Sequence, residues 1–263
     1  MPFRFIKYVT ESFFCKFYCR ISKAGMGKNT LLLYVEVPER ATLEDCLYRL
    51  YTRNIRNVVV WQDDQTVDRE KLLRLRSIGM NMVFFDADDA LPYADAVFLD
   101  NADAVKSLLK SVEFPGENYL YVGWDNRSIS NVRKKGKLQF TENCPDGSVV
   151  RIPWRRDRKI DEESVKRVKE QIQKVPQGMI VCWGQVRLHS GYQNPYGRQR
   201  IRSKKYVIGT IDDFDGSDRY PVKVCVQNLR ESARKIYQRL EEQSELGSGW
   251  KAESYLIRGK IIK

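Results

Sequence analysis

Residues 57–85 read NVVVWQDDQTVDREKLLRLRSIGMNMVFF, and this stretch decides the fold. Asn57–Trp61 and Met80–Phe85 are short, continuous apolar runs, the signature of strands buried on both faces. Between them Asp68–Ser77 reads as a helix. A strand, a helix and a second strand in about thirty residues form a βαβ unit, whose two strands must be parallel.

The rhythm extends in both directions. Upstream, Thr42–Tyr51 is helical, with Leu43, Leu47 and Leu50 at helical spacing. Thr30–Val35 (TLLLYV) reads as a buried parallel strand. Glu11–Ala24 reads as a helix with Phe13, Phe14, Phe17, Tyr18 and Ile21 on one side, stopped by Gly25 and Gly27. Phe3–Val9 is a short β-type run before it. Downstream follow strand Ala96–Leu99, helix Asn101–Val112, strand Tyr119–Val122 and helix Ser130–Phe140. A further cycle runs through strand Ser148–Ile152, helix Asp161–Lys174 and strand Gly178–Cys182. Tyr206–Ile211 and Val222–Val226 are strands, Asn228–Gln243 a helix, and Ala252–Ile262 a β-type tail containing Gly259. The alternation predicts an α/β protein with parallel sheets covered by helices.

The chain has 263 residues, 42% hydrophobic and 11% aromatic, enough to build real cores. No apolar run approaches the ~18–20 residues of a membrane-spanning helix. MPFRFIKYVTESFFCKFYCRIS is interrupted by Arg4, Lys7, Glu11, Lys16 and Arg20 and lacks the apolar core of a signal peptide. The expectation is a cytoplasmic protein. Forty-six Lys+Arg against 34 Asp+Glu give a formal net charge of +12. Such a charge suits a polyanionic neighbour or a solvated basic surface. Two basic runs stand out, RIPWRRDRK (151–159) and RQRIRSKK (198–205). The second follows HSGYQNPYG, a loop-like stretch where a helix would continue the rhythm.

Six cysteines (15, 19, 46, 144, 182, 225) form no C-x-x-C, and a single His, His189, has no partner motif. Neither a zinc site nor a Ser-His or Cys-His nucleophile is indicated. Cys15 and Cys19, four apart, read as buried reduced thiols. GMGKNT (25–30) lacks the spacing of a P-loop and runs from helix to strand, so it reads as a helix end. The acidic strings DDQTVD (63–68), DADD (86–89) and DDFD (212–215) each follow a predicted strand. That is where open α/β sheets bind ligands. Asp63, Asp86 and Asp212 would be the carboxylates of a metal-dependent enzyme, but no catalytic constellation accompanies them.

The ordered series of segments resembles the effector-binding domain of the lac repressor and purine repressor family, relatives of the periplasmic sugar-binding proteins. The resemblance covers nearly the whole chain. It is carried by ESFFCKFYCRIS after the first run, LLLYV with IRNVVVW, GMNMVFFDADD, and DAVFLDNADAVKSLL with Asp-Asn before a helix. It continues through ENYLYVG with SNVRKKGKLQF, GMIVCWGQ, YVIGTIDDFD, YPVKVCVQNLRESARKIYQRL and LIRGKIIK.

The resemblance implies a two-lobed periplasmic-binding-protein-like fold with a ligand cleft between lobes. It places residues 1–125 with 228–245 in the first lobe, 126–227 with 246–263 in the second, and crossovers near 125, 227 and 247. It implies a sugar or similar polar effector, no cofactor, no catalytic activity and a homodimer. Residue by residue, it assigns ligand contacts to Asp86, Arg133 and Asp212. Gln227 opens the last long helix, and Trp61, Trp183 and Gln185 fall at strand ends. Each has a plainer reading: core for the two Trp, a surface helix residue for Arg133, and a helix cap or turn for Asp86 and Asp212.

The chain departs from the family pattern at Gly184-Gln185, where Asn-Asp is usual, at Trp61, at Thr210 and in the 186–205 stretch. No helix-turn-helix is visible, so the resemblance implies DNA recognition through a module outside these residues. That module would either be a helix-turn-helix preceding these residues or an AraC-type module following residue 263, as in regulators of xylose operons; a strand starting at Met1 leans slightly to the second. A free-standing solute-binding protein is the alternative.

Overall fold

The computed structural model describes residues 10–25, 32–38, 40–61, 67–125, 131–153, 161–174, 177–183, 206–211 and 222–262. They divide into two compact units. The first comprises Met1–Leu99, Ser130–Val132 and Asn228–Ile257; the second comprises Asp100–Ile129, Arg133–Gln227 and Arg258–Lys263.

The first unit is built on four strands: β1 (Asn57–Trp61), β2 (Asn81–Phe85), β3 (Asp95–Leu99) and β9 (Ser254–Ile257), in the order β1-β2-β3-β9 and all parallel. The quoted βαβ unit is present: Asn57 pairs with Asn81 and Trp61 with Phe85. Its helix, α3 (Arg69–Ser77), starts where Asp68 accepts the Lys71 amide at 3.2 Å. Helix α2 (Leu43–Thr52) is capped in the same way by Thr42. Both cover one face of the sheet, burying Leu43, Leu47, Leu72 and Leu75 against Val60, Met82 and Phe84. Helices α1 (Thr10–Gly25) and α7 (Leu229–Leu246) cover the other, packing Phe17, Ile21, Ala233, Ile236 and Leu240 on Val83, Phe85 and Val97. Gly25 lets α1 approach α7, because a Cβ there would lie 2.3 Å from the Tyr237 hydroxyl.

One buried ion pair ties α7 to this sheet. Asp95, fully buried, accepts two hydrogen bonds from the Arg239 guanidinium at 2.9 and 3.0 Å. It also accepts from Gln243 Nε2 at 2.7 Å, Trp250 Nε1 at 3.2 Å and the Glu253 amide at 2.8 Å. Gln243 exchanges a further pair of 2.9 Å bonds with the backbone of Met82. Every lone pair of the carboxylate thus has a donor, the condition under which a buried charge is tolerated.

The second unit holds β4 (Tyr119–Asp125), β5 (Ser148–Pro153), β6 (Gly178–Trp183), β7 (Tyr206–Ile211), β8 (Val222–Val226) and β10 (Lys260–Ile262), in the order β10-β8-β7-β6-β4-β5. All pairs are parallel except β10 with β8. Helix α6 (Glu162–Lys174) buries Val168 and Ile172 against Leu120, Val122, Val150, Ile152 and Ile180. Residues alternate across a strand, so Tyr121, between Leu120 and Val122, faces the other way. There it meets Phe140 of α5 (Asn131–Asn143), with centroids 5.3 Å apart. Helix α4 (Asn101–Lys110) lies on that same side, near Gly209 and Gly136. Gly136 allows the α4–α5 approach, since a Cβ there would sit 3.3 Å from the Asn101 carbonyl oxygen.

Several expectations are corrected. Residues 32–38 adopt no regular structure, and Leu33, Tyr34 and Val35 are 60, 57 and 46% exposed, so the described part of TLLLYV, residues 32–35, is not a buried strand; Thr30 and Leu31 lie outside the described residues. Leu32 and, two residues beyond that run, Val37 instead pack on opposite faces of the first sheet. Cys15 and Cys19 are exposed, because α1 spends its buried stripe on Phe17 and Ile21. The chain changes sheets between β3 and β4, earlier than residue 125. The tail splits at Gly259, β9 joining the first sheet and β10 the second. The last change of sheet therefore falls after Ile257 rather than near 247. Phe3–Val9 and HSGYQNPYG lie outside the described residues.

Candidate functional site

In a parallel sheet all strands end at the same edge, and ligands bind outside that edge. In the first sheet β1 ends on Trp61, β2 runs into Asp86 and β3 into Asp100. Because Trp61 pairs with Phe85, it stands beside the residue preceding Asp86. Trp61 is half-buried, meeting Phe17 and Phe85 edge-on with centroids 5.9 and 5.8 Å apart. Its ring thus belongs to the aromatic cluster that holds α1, although it sits at the ligand-type edge.

Asp86 has φ +60°, a left-handed conformation that Asp tolerates better than most residues. Its amide donates to the Val97 carbonyl at 3.0 Å, so the turn is fixed by the neighbouring strand. A non-glycine residue held in this region at a strand's C-terminal end is where functional strain is commonly found. Asp100, by contrast, accepts the Asp103 amide at 3.0 Å and caps α4. The Asp-Asn pair that the sequence places before that helix therefore has a structural job.

In the second sheet the C-terminal edge is formed by Asp125, Pro153, Trp183, Ile211 and Val226. Trp183 pairs with Ile211 and Ile211 with Cys225. Trp183 and Gln227, the half-buried residue directly after β8, therefore lie on one edge with β7 between their strands. Arg133 is the third residue of α5, the helix that follows β4. The side chains of Arg133 and Trp183, and the whole of Gln185 and Asp212, lie outside the described residues. Asp125 was missed by sequence reading. Its signal was the continuation of LYVGWD beyond the predicted strand end, which brings its position beside Pro153.

Burial disarms the thiol nearest this edge. Desolvation pushes Cys182, one residue before Trp183, up to about 12, outweighing the opposing hydrogen bond to Thr210. It is a neutral thiol at physiological pH and cannot act as a nucleophile or soft metal ligand. Among the described residues no three His, Cys, Asp or Glu side chains are grouped to hold a metal ion. No helix among them is long and apolar enough to cross a membrane. The edges carry an aromatic ring, a carboxylate on a fixed turn and an amide. These are groups for hydrogen-bonding hydroxyls and covering apolar C–H surface.

No family model and no curated protein matches the chain. Solved structures do. A LacI transcriptional regulator from Lactobacillus brevis matches with a TM-score of 0.76 and 14% identity over 95% of both chains. The Cra transcriptional dual regulator from Pseudomonas putida, solved with fructose 1-phosphate, gives 0.68 and 17% over 94% of both. An ABC-transporter solute-binding protein from Burkholderia graminis, solved with D-arabinose, gives 0.69 and 14% over 95% of this chain and 91% of that one. At these identities the likeness is one of fold: two-lobed and periplasmic-binding-protein-like, with a helix-flanked parallel sheet in each lobe.

Proposed function

We propose that the chain is the ligand-sensing and dimerising part of a bacterial transcription regulator of the lac repressor type, working in the cytoplasm. The observation that carries this reading is the placement of site candidates at C-terminal strand edges. Trp61 and Asp86 end strands of the first sheet, and Trp183 and Gln227 end strands of the second. The ligand is a sugar or similar polar metabolite bound at such strand edges, with Arg133, Asp212 and Gln185 added to the candidates of the second unit. Asp86 accepts hydroxyl hydrogen bonds, Arg133 donates a fork of them, and the tryptophans cover the apolar side of the ring. Ligand binding favours one arrangement of the two units, and a dimer passes that preference to DNA-binding heads outside these residues. The neighbours solved with fructose 1-phosphate and D-arabinose support a carbohydrate-type ligand.

The test is a thermal-shift screen over pentoses, hexoses and their phosphates, repeated with Arg133→Ala. A wild-type shift that the substitution abolishes is the expected result. An unchanged shift in the variant would overturn the site.

A further inference from the structure

Helix α1 turns an unusual face to solvent. Of the six cysteines, Cys46, Cys144, Cys182 and Cys225 are buried, the usual place for a small apolar thiol, whereas Cys15 and Cys19 are exposed. The helix buries Phe17 and Ile21 on the first sheet, and Gly25 meets Tyr237 of α7. At 3.6 residues per turn, Cys15 and Cys19 lie about 40° from each other around the axis and about 160° from Phe17. The two thiols therefore sit one turn apart on the side away from the core, where packing does not account for them. Lys16, Arg20 and Lys23, all exposed, flank the pair along one side.

What two thiols can do is set by their spacing. Residues four apart on a helix hold their Cβ atoms about 5–6 Å apart. A disulfide needs about 3.5–4.5 Å, so α1 in its folded form keeps the pair from closing on itself. A metal ion between two thiolates needs more room. Two bonds of about 2.3 Å each set the sulfurs about 4.6 Å apart when the ion lies on the line between them. A spacing too wide for a disulfide thus admits an ion. Two ligands do not make a zinc site, which takes four. Among the described residues no third His, Cys, Asp or Glu side chain joins the pair. The cation that fits is one satisfied by two soft ligands, and copper(I) is the thiolate-seeking ion of that kind.

We infer that Cys15 and Cys19 form a two-thiolate site for one copper(I) ion on the exposed face of α1. Coordination by the two thiols releases two protons and leaves the metal's oxidation state unchanged. The complex is singly negative, and Lys16, Arg20 and Lys23 supply positive charge beside it. The site belongs to the first unit alone and is independent of the ligand-sensing proposal above.

Competition for copper(I) between the whole chain and the chelator bathocuproine disulfonate, kept anaerobic and reduced with ascorbate, tests it. The wild type is compared with Cys15→Ser, Cys19→Ser, Cys15→Ser/Cys19→Ser and Cys19→Ser/Arg20→Cys. The last variant keeps two thiols on α1 but sets them five residues apart, about 140° around the axis. Arg20 is exposed, and thermal unfolding verifies that each variant is folded. The wild type should bind one ion per chain. Each single variant and the respaced variant should lose about a hundredfold or more in affinity, the scale gained by tethering two ligands. All three should fall to the level of the double variant, which measures what the four buried thiols contribute. Wild-type affinity in the respaced variant would reduce the site to generic thiol binding and overturn the proposal. So would wild-type binding no stronger than that of the double variant, or one ion per two chains, which would put the metal between copies.

Discussion

The two units solve the same architectural problem with different chemistry. Both lay helices over parallel strands, but the first is electrically balanced and fastens itself with a buried ion pair. The second carries nearly all of the net charge outside a core of hydrocarbon. The difference follows from chain connectivity. Helix α7 and strand β9 return to the first unit only after the second has been built, 144 residues from Asp95 to Arg239. Apolar packing alone is non-directional. The Asp95 cluster adds a directional lock that accepts one register of α7, Trp250 and Glu253 on the sheet. Within the second unit, strands adjacent in sequence supply most of the neighbouring pairs in the sheet.

This contrast can be broken by substitution, with hydrogen exchange reporting on each unit separately. Arg239→Ala should have the largest effect, about 3–5 kcal/mol, because it strands a fully buried carboxylate. Protection should disappear throughout the first sheet and little in the second. Equal effects in both would mean that the cluster does not distinguish them. Ile152→Ala removes a fully buried side chain beneath α6 and should cost about 2–4 kcal/mol, confined to the second unit.

Asp161→Ala should cost about 1 kcal/mol through loss of the α6 cap. Asp161 accepts from the Ser164 amide and hydroxyl, both at 2.8 Å. Partial desolvation raises its pKa, but these bonds and Arg167 outweigh it and hold the carboxyl below its usual 3.8. Its contribution is therefore complete above that value and disappears as acidification protonates the folded form. A pH titration of stability should show wild type and variant converging in acid. Lys71→Ala, breaking the exposed 3.9 Å pair with Asp68, should change stability by only a few tenths of a kcal/mol.

Much of the fold was legible because long apolar runs and capping residues agree. Asp68, Thr42 and Asn228 mark helix starts, and β2, buried at every position, reads as a run without alternation. TLLLYV misled because a continuous apolar run records only hydrophobicity, and here Leu32 and Val37 are enough to anchor the segment. The strand-edge positions of Trp61, Asp86 and Gln227 were also legible, since each follows an apolar run. The φ +60° turn at Asp86 was not, because it is imposed by β3 through the Val97 carbonyl. Nor was the Asp95 cluster, whose members lie far apart in sequence and meet only in the folded unit.

The central proposal is that Asp86 and Gln227, each at a C-terminal strand edge of its own sheet, contact a small polar ligand. Isothermal titration with the best stabiliser from the carbohydrate screen, on wild type, Asp86→Ala and Gln227→Ala, tests it most directly. The account predicts one site per chain in the wild type and an affinity at least about tenfold weaker in each variant, the scale of one buried polar contact. Wild-type affinity in either variant would contradict it.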